Sequence, residues 1–152
     1  KSIMKKLASL SFAIISLIGV SSCSDDDAVV DTTKPTIEII SPTDHQEVEP
    51  GSVFTVKANL TDNVGLASYK IEIHSAEDGH EHKSKQLLVE DFEYSFVGEI
   101  ANKPTTYTLE HAITIPADVA EEHYHVGITV LDVNGNQNQQ FVEIFIGHDH
   151  SH

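Results

Sequence analysis

An all-β sandwich is what this sequence predicts, on three observations. Apolar and polar residues alternate at period two in run after run, the mark of strands with one buried face. Turn-forming groups separate those runs at short intervals: Ser41-Pro42, Pro50-Gly51, Asp62-Asn63-Val64-Gly65, Lys103-Pro104, Ile115-Pro116 and Asn134-Gly135-Asn136. Beyond residue 22 no segment carries a helical period. About seven short strands at this spacing predict an immunoglobulin-like arrangement. With a single Cys in the chain no internal disulfide can form, so the core must hold by packing alone.

The elements follow in order. Lys1, Lys5 and Lys6 precede the apolar run 7–20, which is shorter than the roughly 20 residues a membrane span needs. A basic start and a short apolar core read as an export signal over 1–22. It ends in Val20-Ser21-Ser22-Cys23, which resembles the lipobox of bacterial lipoproteins and implies lipidation of Cys23. The following Ser24-Asp25-Asp26-Asp27 resembles the acidic export tag of Bacteroidetes surface lipoproteins; the plainer alternative is a solvated acidic linker. These resemblances imply an outer-membrane lipoprotein, surface-exposed or else facing the periplasm, anchored to the membrane by its lipid. Residues 23–35 lack periodicity and read as a flexible tether. The sandwich then occupies 36–147, and 148–152 form a His-rich tail.

Within the sandwich, strands are expected at Thr36–Ser41, 52–61, Leu66–Ser75, 106–115, 123–132 and 139–147, with one or two more in 84–97. The stretch 121–136, EEHYHVGITVLDVNGN, organises the rest. Tyr124, Val126, Ile128 and Val130 share one face, and His123 and His125 the other. Tyr124 stands where immunoglobulin-like sandwiches place the tyrosine of their corner.

Charge narrows the partners. All nine basic residues are Lys, and three precede residue 23, which leaves six against 24 acids from Cys23 onward, a net −18 with His neutral. Nothing here neutralises phosphates, so nucleic acid is excluded as a partner. Cations are the natural small ligands.

Asp62-Asn63-Val64-Gly65-Leu66, Ile71-Glu72-Ile73-His74, His111 with Ile115-Pro116, Tyr124-His125, and Val130-x-Asp132-x-x-Gly135-Asn136 together resemble a Bacteroidetes lipoprotein family carrying the DUF4625 domain. The resemblance covers roughly 35–147. It implies an immunoglobulin-like fold and no settled function, so any chemistry must come from the residues.

That chemistry lies in ten His. Three H-x-H pairs stand out: His80 with His82, His123 with His125, and His148 with His150. In immunoglobulin order the third strand ends in His74 at the pole where the sixth begins with His123 and His125, and the tail follows the last strand there. A regular hairpin about 134–138 places His125 opposite Gly147 and His123 opposite Asp149. Imidazoles at i and i+2 on a strand stand about 6.5–7 Å apart, close enough to share one ion. The candidate ligands are therefore His74, His80, His82, His123, His125, His148 and His150, with Glu81, Glu122 and Asp149 as nearby carboxylates. Without a Met beyond Met4 or a free Cys, soft Cu(I) is poorly served; Zn²⁺ is favoured, with Cu²⁺ and Ni²⁺ as alternatives.

Plainer readings stand beside these. His-rich tails bind metal adventitiously. His123 and His125 also suit a solvent-facing ladder, His111 a satisfied core position, and His45 an ordinary loop. Asp62, Asn63, Asp132 and Asn134 at the opposite pole offer oxygens suited to Ca²⁺, but Asx-type turn bonding explains them more simply. The expectation is a lipid-anchored protein that binds a divalent metal for acquisition or buffering and hands it to an outer-membrane transporter. The alternative is an interaction module of a surface complex, with metal incidental. No enzymatic role is expected, since nothing marks a substrate pocket or a dedicated general base.

Overall fold

A computed structural model describes residues 29–76 and 89–147. The signal, Cys23, the acidic run after it, His80, His82, His148 and His150 lie outside the described residues.

Eight strands form: β1 (Thr36–Ser41), β2 (Gln46–Val48), β3 (Val53–Thr61), β4 (Leu66–Ser75), β5 (Tyr94–Glu99), β6 (Thr106–Thr114), β7 (Glu122–Asp132) and β8 (Gln137–Ile146). They make two sheets, β1-β3-β6 and β2-β8-β7-β4-β5. The third, sixth and last strands of the sequence reading thus lie side by side in one sheet, and the fold is the immunoglobulin-like β-sandwich expected. The eighth strand, β2, is short and follows no visible alternation. It exists because it pairs in parallel with β8, Gln46 beside Ile144 and Val48 beside Ile146.

Alternation decides which face is buried. Tyr124, Val126, Ile128 and Val130 of β7 are fully buried, as are Ile71 of β4, Val56 and Leu60 of β3, and Leu109 of β6. Each large apolar side chain so enclosed contributes about 1.5–3 kcal/mol relative to exposure. The Tyr124 hydroxyl donates to the carbonyl of Ala120 at 2.9 Å and accepts from the Phe92 amide at 3.2 Å. That is the corner expected: a buried phenol satisfied by backbone four residues upstream. Burial pushes its pKa up to about 12.

Two expectations need correcting. The β7–β8 hairpin turns two residues earlier than a turn about 134–138, with its centre at Asn134. Leu131 pairs with Gln137, so His125 faces Glu143 and His123 faces Phe145. The reason is the Asp132 carboxylate, whose Oδ1 accepts from the amides of Asn134 and Asn136 and closes the turn early. Nor is the segment before β1 free as far as residue 35. Asp31 accepts from the side-chain amides of Asn63 and Asn134, and the Pro35 carbonyl accepts from Asn138.

Candidate metal centre

At the pole where β7 begins, the outer face of the five-stranded sheet carries the imidazoles. His74 pairs with His125 across β4 and β7, and their rings meet edge-on at 5.5 Å. Glu143 of β8 sits opposite His125. Its two oxygens divide the neighbours: Oε1 lies 2.8 Å from His123 Nδ1 and 3.2 Å from His45 Nδ1, while Oε2 lies 3.8 Å from His125 Nε2. His45, His123 and Glu143 each present a ligand atom within 4.8 Å of the others. Among the described residues this is the group with imidazole donors close enough to share an ion.

Local sequence explains each placement. Gly127 on the same face of β7 has no side chain, so the Phe141 ring lies across it; a Cβ there would come within 2.4 Å of that ring. Phe141 in turn borders His74 and His125, with ring centroids 6.0 and 6.1 Å away. This ring and the β4–β7 pairing hold the two imidazoles together, with His125 between His74 and Glu143. His123 packs edge-on against Phe145 at 5.0 Å.

His45 arrives from a distant part of the chain. The Gln46 amide donates to the Thr43 carbonyl, closing a tight turn in which His45 has φ 58°. That left-handed conformation usually falls to Gly or Asn, although His tolerates it better than most. The turn is fastened to β8 at one residue by two hydrogen bonds, one from backbone to backbone and one to the Asp44 side chain. The His45 amide donates to the Glu143 carbonyl at 2.7 Å, and the Glu143 amide donates to Asp44 Oδ1 at 3.1 Å. With Nδ1 turned to Glu143, the other nitrogen of His45 lies 3.5 Å from Asp44 Oδ2. A carboxylate on the far nitrogen of an imidazole fixes its tautomer and raises its basicity, the usual support of a metal-bound His.

A family model described as a domain of unknown function, DUF4625, matches residues 21–147. The chain belongs to that family. No curated protein matches it. Among solved structures, the DUF4625 chain is similar to a DUF4466 family protein from Parabacteroides merdae, at 13% identity and a TM-score of 0.51 over 74% of this chain and 45% of that one. It is also similar to Spo0M, a sporulation control protein from Bacillus subtilis, at 13% identity and 0.48 over 76% and 49%. A third is a fibronectin(III)-like module of CbhA from Clostridium thermocellum, at 14% and 0.45 over 73% and 94%. The DUF4625 chain spans about half the length of the first two. At these identities the likeness bears on fold alone.

The structure sorts the candidate ligands of the DUF4625 chain. It brings His123, His125 and His74 to one patch. It does not leave His123 and His125 as a self-sufficient pair, because Glu143 stands between them. The tail and the loop histidines fall outside the described residues. His111 lies apart, accepting or donating at 2.6 Å to the Tyr94 hydroxyl and stacked on Phe96 at 4.1 Å, which is the satisfied position expected. His45, which the sequence suggests is an ordinary loop residue, and Glu143 are the candidate ligands that sequence reasoning left out. Glu143 carries a signal in retrospect, since a hairpin closed by Asp132 puts residue 143 opposite 125.

Proposed function

We propose that this is a lipid-anchored cell-envelope protein whose sandwich binds a divalent transition metal, Zn²⁺ first, through His45, His123 and Glu143. His125 and His74 stand ready beside it. The observation that carries the reading is the convergence of two imidazole nitrogens from distant segments on one carboxylate oxygen. Two nitrogens and an oxygen form a borderline donor set suited to Zn²⁺, with Cu²⁺ and Ni²⁺ as competitors. The site is open: His45 and His123 are 68% and 50% exposed in their side chains. An open three-ligand site fits capture and release, as acquisition, buffering or delivery to an outer-membrane transporter requires. The export signal and Cys23 supply the anchor.

Calorimetry on the full chain tests the metal. Zn²⁺ is expected to bind saturably at pH 7.5 and more weakly at pH 5.5, because imidazole, titrating near about 6.5, must lose its proton to ligate. Deleting 148–152 leaves a site; Glu143→Gln or His123→Ala lowers affinity about tenfold or more. Loss of all binding on tail deletion alone would reduce the metal to an adventitious tail effect. Incorporation of a fatty-acid label that disappears in Cys23→Ala tests the anchor.

A second reading has its own observation. β5 is the edge of its sheet and exposes Val97 at 62% and Phe96 at 36%. An apolar edge strand suits strand addition by a partner. A protein that co-purifies from membranes through chelator, and is lost on Val97→Lys, favours this interaction role with metal incidental.

A further inference from the structure

The end of β7 away from the imidazoles is built on aspartates, yet it carries an apolar surface. Asp62 Oδ2 accepts from the amides of Val64 and Gly65, and Asp132 Oδ1 from those of Asn134 and Asn136. Asp31 joins them from outside the sandwich, held by the side-chain amides of Asn63 and Asn134. These bonds draw the Asp62 and Asp132 carboxylates inward and leave the valines beside them facing solvent: Val64 and Val133 are 48% and 41% exposed. The two turns touch, since the Val133 amide donates to the Gly65 carbonyl at 2.9 Å. Val29 and Val30, just before Asp31, are more exposed still. Of the eleven large apolar side chains exposed among the described residues, these four and Leu131 lie at this end, so apolar exposure is concentrated there rather than scattered.

We propose, resting on the lipid anchor above, that this tip sits on the bilayer holding Cys23. Turn positions favour Gly, Asn, Asp and Ser, so an exposed Val gains nothing from the turn itself. Where the chain goes decides what covers the patch. Cys23 stands six positions before Val29, so the anchored lipid lies within about 22 Å of Val29 along the chain. A surface held that close meets the tip at high effective concentration, and a contact too weak to form from solution then forms. Apolar side chains so presented bury at the boundary of headgroups and acyl chains. Charge chooses the lipid. The net −18 from Cys23 onward, with Asp25, Asp26 and Asp27 beside the anchor, is repelled by anionic headgroups, so the surface is zwitterionic.

Contact at the tip sets the posture of the domain. The segment entering at Asp31 and the β3–β4 and β7–β8 turns give three points of support, where a tether alone would let the sandwich swing. His123 and Asp132 are nine residues apart on β7, which separates the two ends by about 30 Å. With the aspartate end on the membrane, His45, His123 and Glu143 are held at that height, open to solvent.

The test uses the full chain, lipidated at Cys23, in phosphatidylcholine nanodiscs that carry a gadolinium-bearing headgroup lipid, read by NMR of the valine methyl groups. Val64 and Val133 are expected to lose about threefold more intensity than Val53, which is exposed at the opposite end of β3. Val64→Ser with Val133→Ser should release the tip, so that the Gly65 and Gly135 amides recover about twofold, whereas Val53→Ser leaves them unchanged. Both valines are exposed in turns, and Val133→Ser alone decides the matter should the pair fail to fold. Equal loss at all three valines, or no recovery in the Ser variants, overturns the proposal. So does self-association of the Cys23→Ala chain that the Ser variants abolish, since a second copy then covers the patch. Absence of lipid on Cys23 overturns the anchor reading alone: coupling its thiol to a maleimide lipid supplies the anchor, and the same signals then test the tip.

Discussion

The two ends of β7 put polar side chains to opposite uses. At the imidazole end the polar groups lie on the outside of a sheet whose backbone is already paired, so they are additions to a finished fold. At the aspartate end the polar groups make the fold: Asp132, 1% exposed, has the amides of Asn134 and Asn136 on one oxygen and the Asn136 side chain on the other. A surface patch can vary its ligands at little structural cost. A capping carboxylate cannot.

The sharpest way to break that contrast is a paired substitution. Asp132→Ala leaves three donors without their carboxylate and should destabilise by about 3 kcal/mol or more in urea unfolding. Glu143→Ala removes exposed His–Glu pairs and should change stability by less than about 1 kcal/mol. Equal losses would erase the distinction.

The imidazole end is itself layered, and Tyr124 marks the boundary beneath the patch. Tyr124→Phe removes one donated and one accepted bond and strands the Phe92 amide. A loss of about 1–3 kcal/mol is expected by urea unfolding at pH 7. Because the folded-state pKa is raised to about 12 from 10.0, the neutral phenol is favoured. The stability tied to it holds below pH 10 and is lost as pH rises toward 12. Tyr124→Phe should flatten that alkaline decline.

Acid sharpens the contrast from the other side. The Asn63 side chain and the Thr33 amide hold Asp31 down to about 2 from 3.8. The Asp31 contacts therefore persist above about pH 4 and are lost as pH falls through about 2, with no change near neutrality. NMR titration of the Asp31 carboxyl checks this; a midpoint near 4 would show that the tether is not held by its side chain.

The smallest effect separates stability from binding at the imidazole end. His45 occupies a left-handed position, so His45→Gly should leave stability unchanged or raise it by about 0.5–1 kcal/mol while weakening Zn²⁺. Thermal unfolding beside calorimetry resolves the two. A His45→Gly chain that binds Zn²⁺ as well as before would remove the turn from the site.

Much of this molecule was legible before its fold was seen. The alternation Tyr124, Val126, Ile128, Val130 named the buried face of β7, and the outward side of His123 and His125 followed from it. The pole of His74 and His125 followed from strand order. The hairpin register did not, because the pattern shows where a turn lies but not which carboxylate closes it. β2 was invisible for a related reason: three residues carry no period, and its parallel pairing depends on a strand far along the chain.

Side-chain periodicity is local, so the sequence by itself determined the strands, the faces and the clustering of imidazoles at one end. What meets what at each pole is non-local. Asp44 and Glu143 bond across 99 positions, and Asn134 and Asp31 across 103. Only the assembled sheets bring such partners within reach, and so only the tertiary structure decided that His45 joins His123 on Glu143 and that Asp31 joins Asp62 and Asp132.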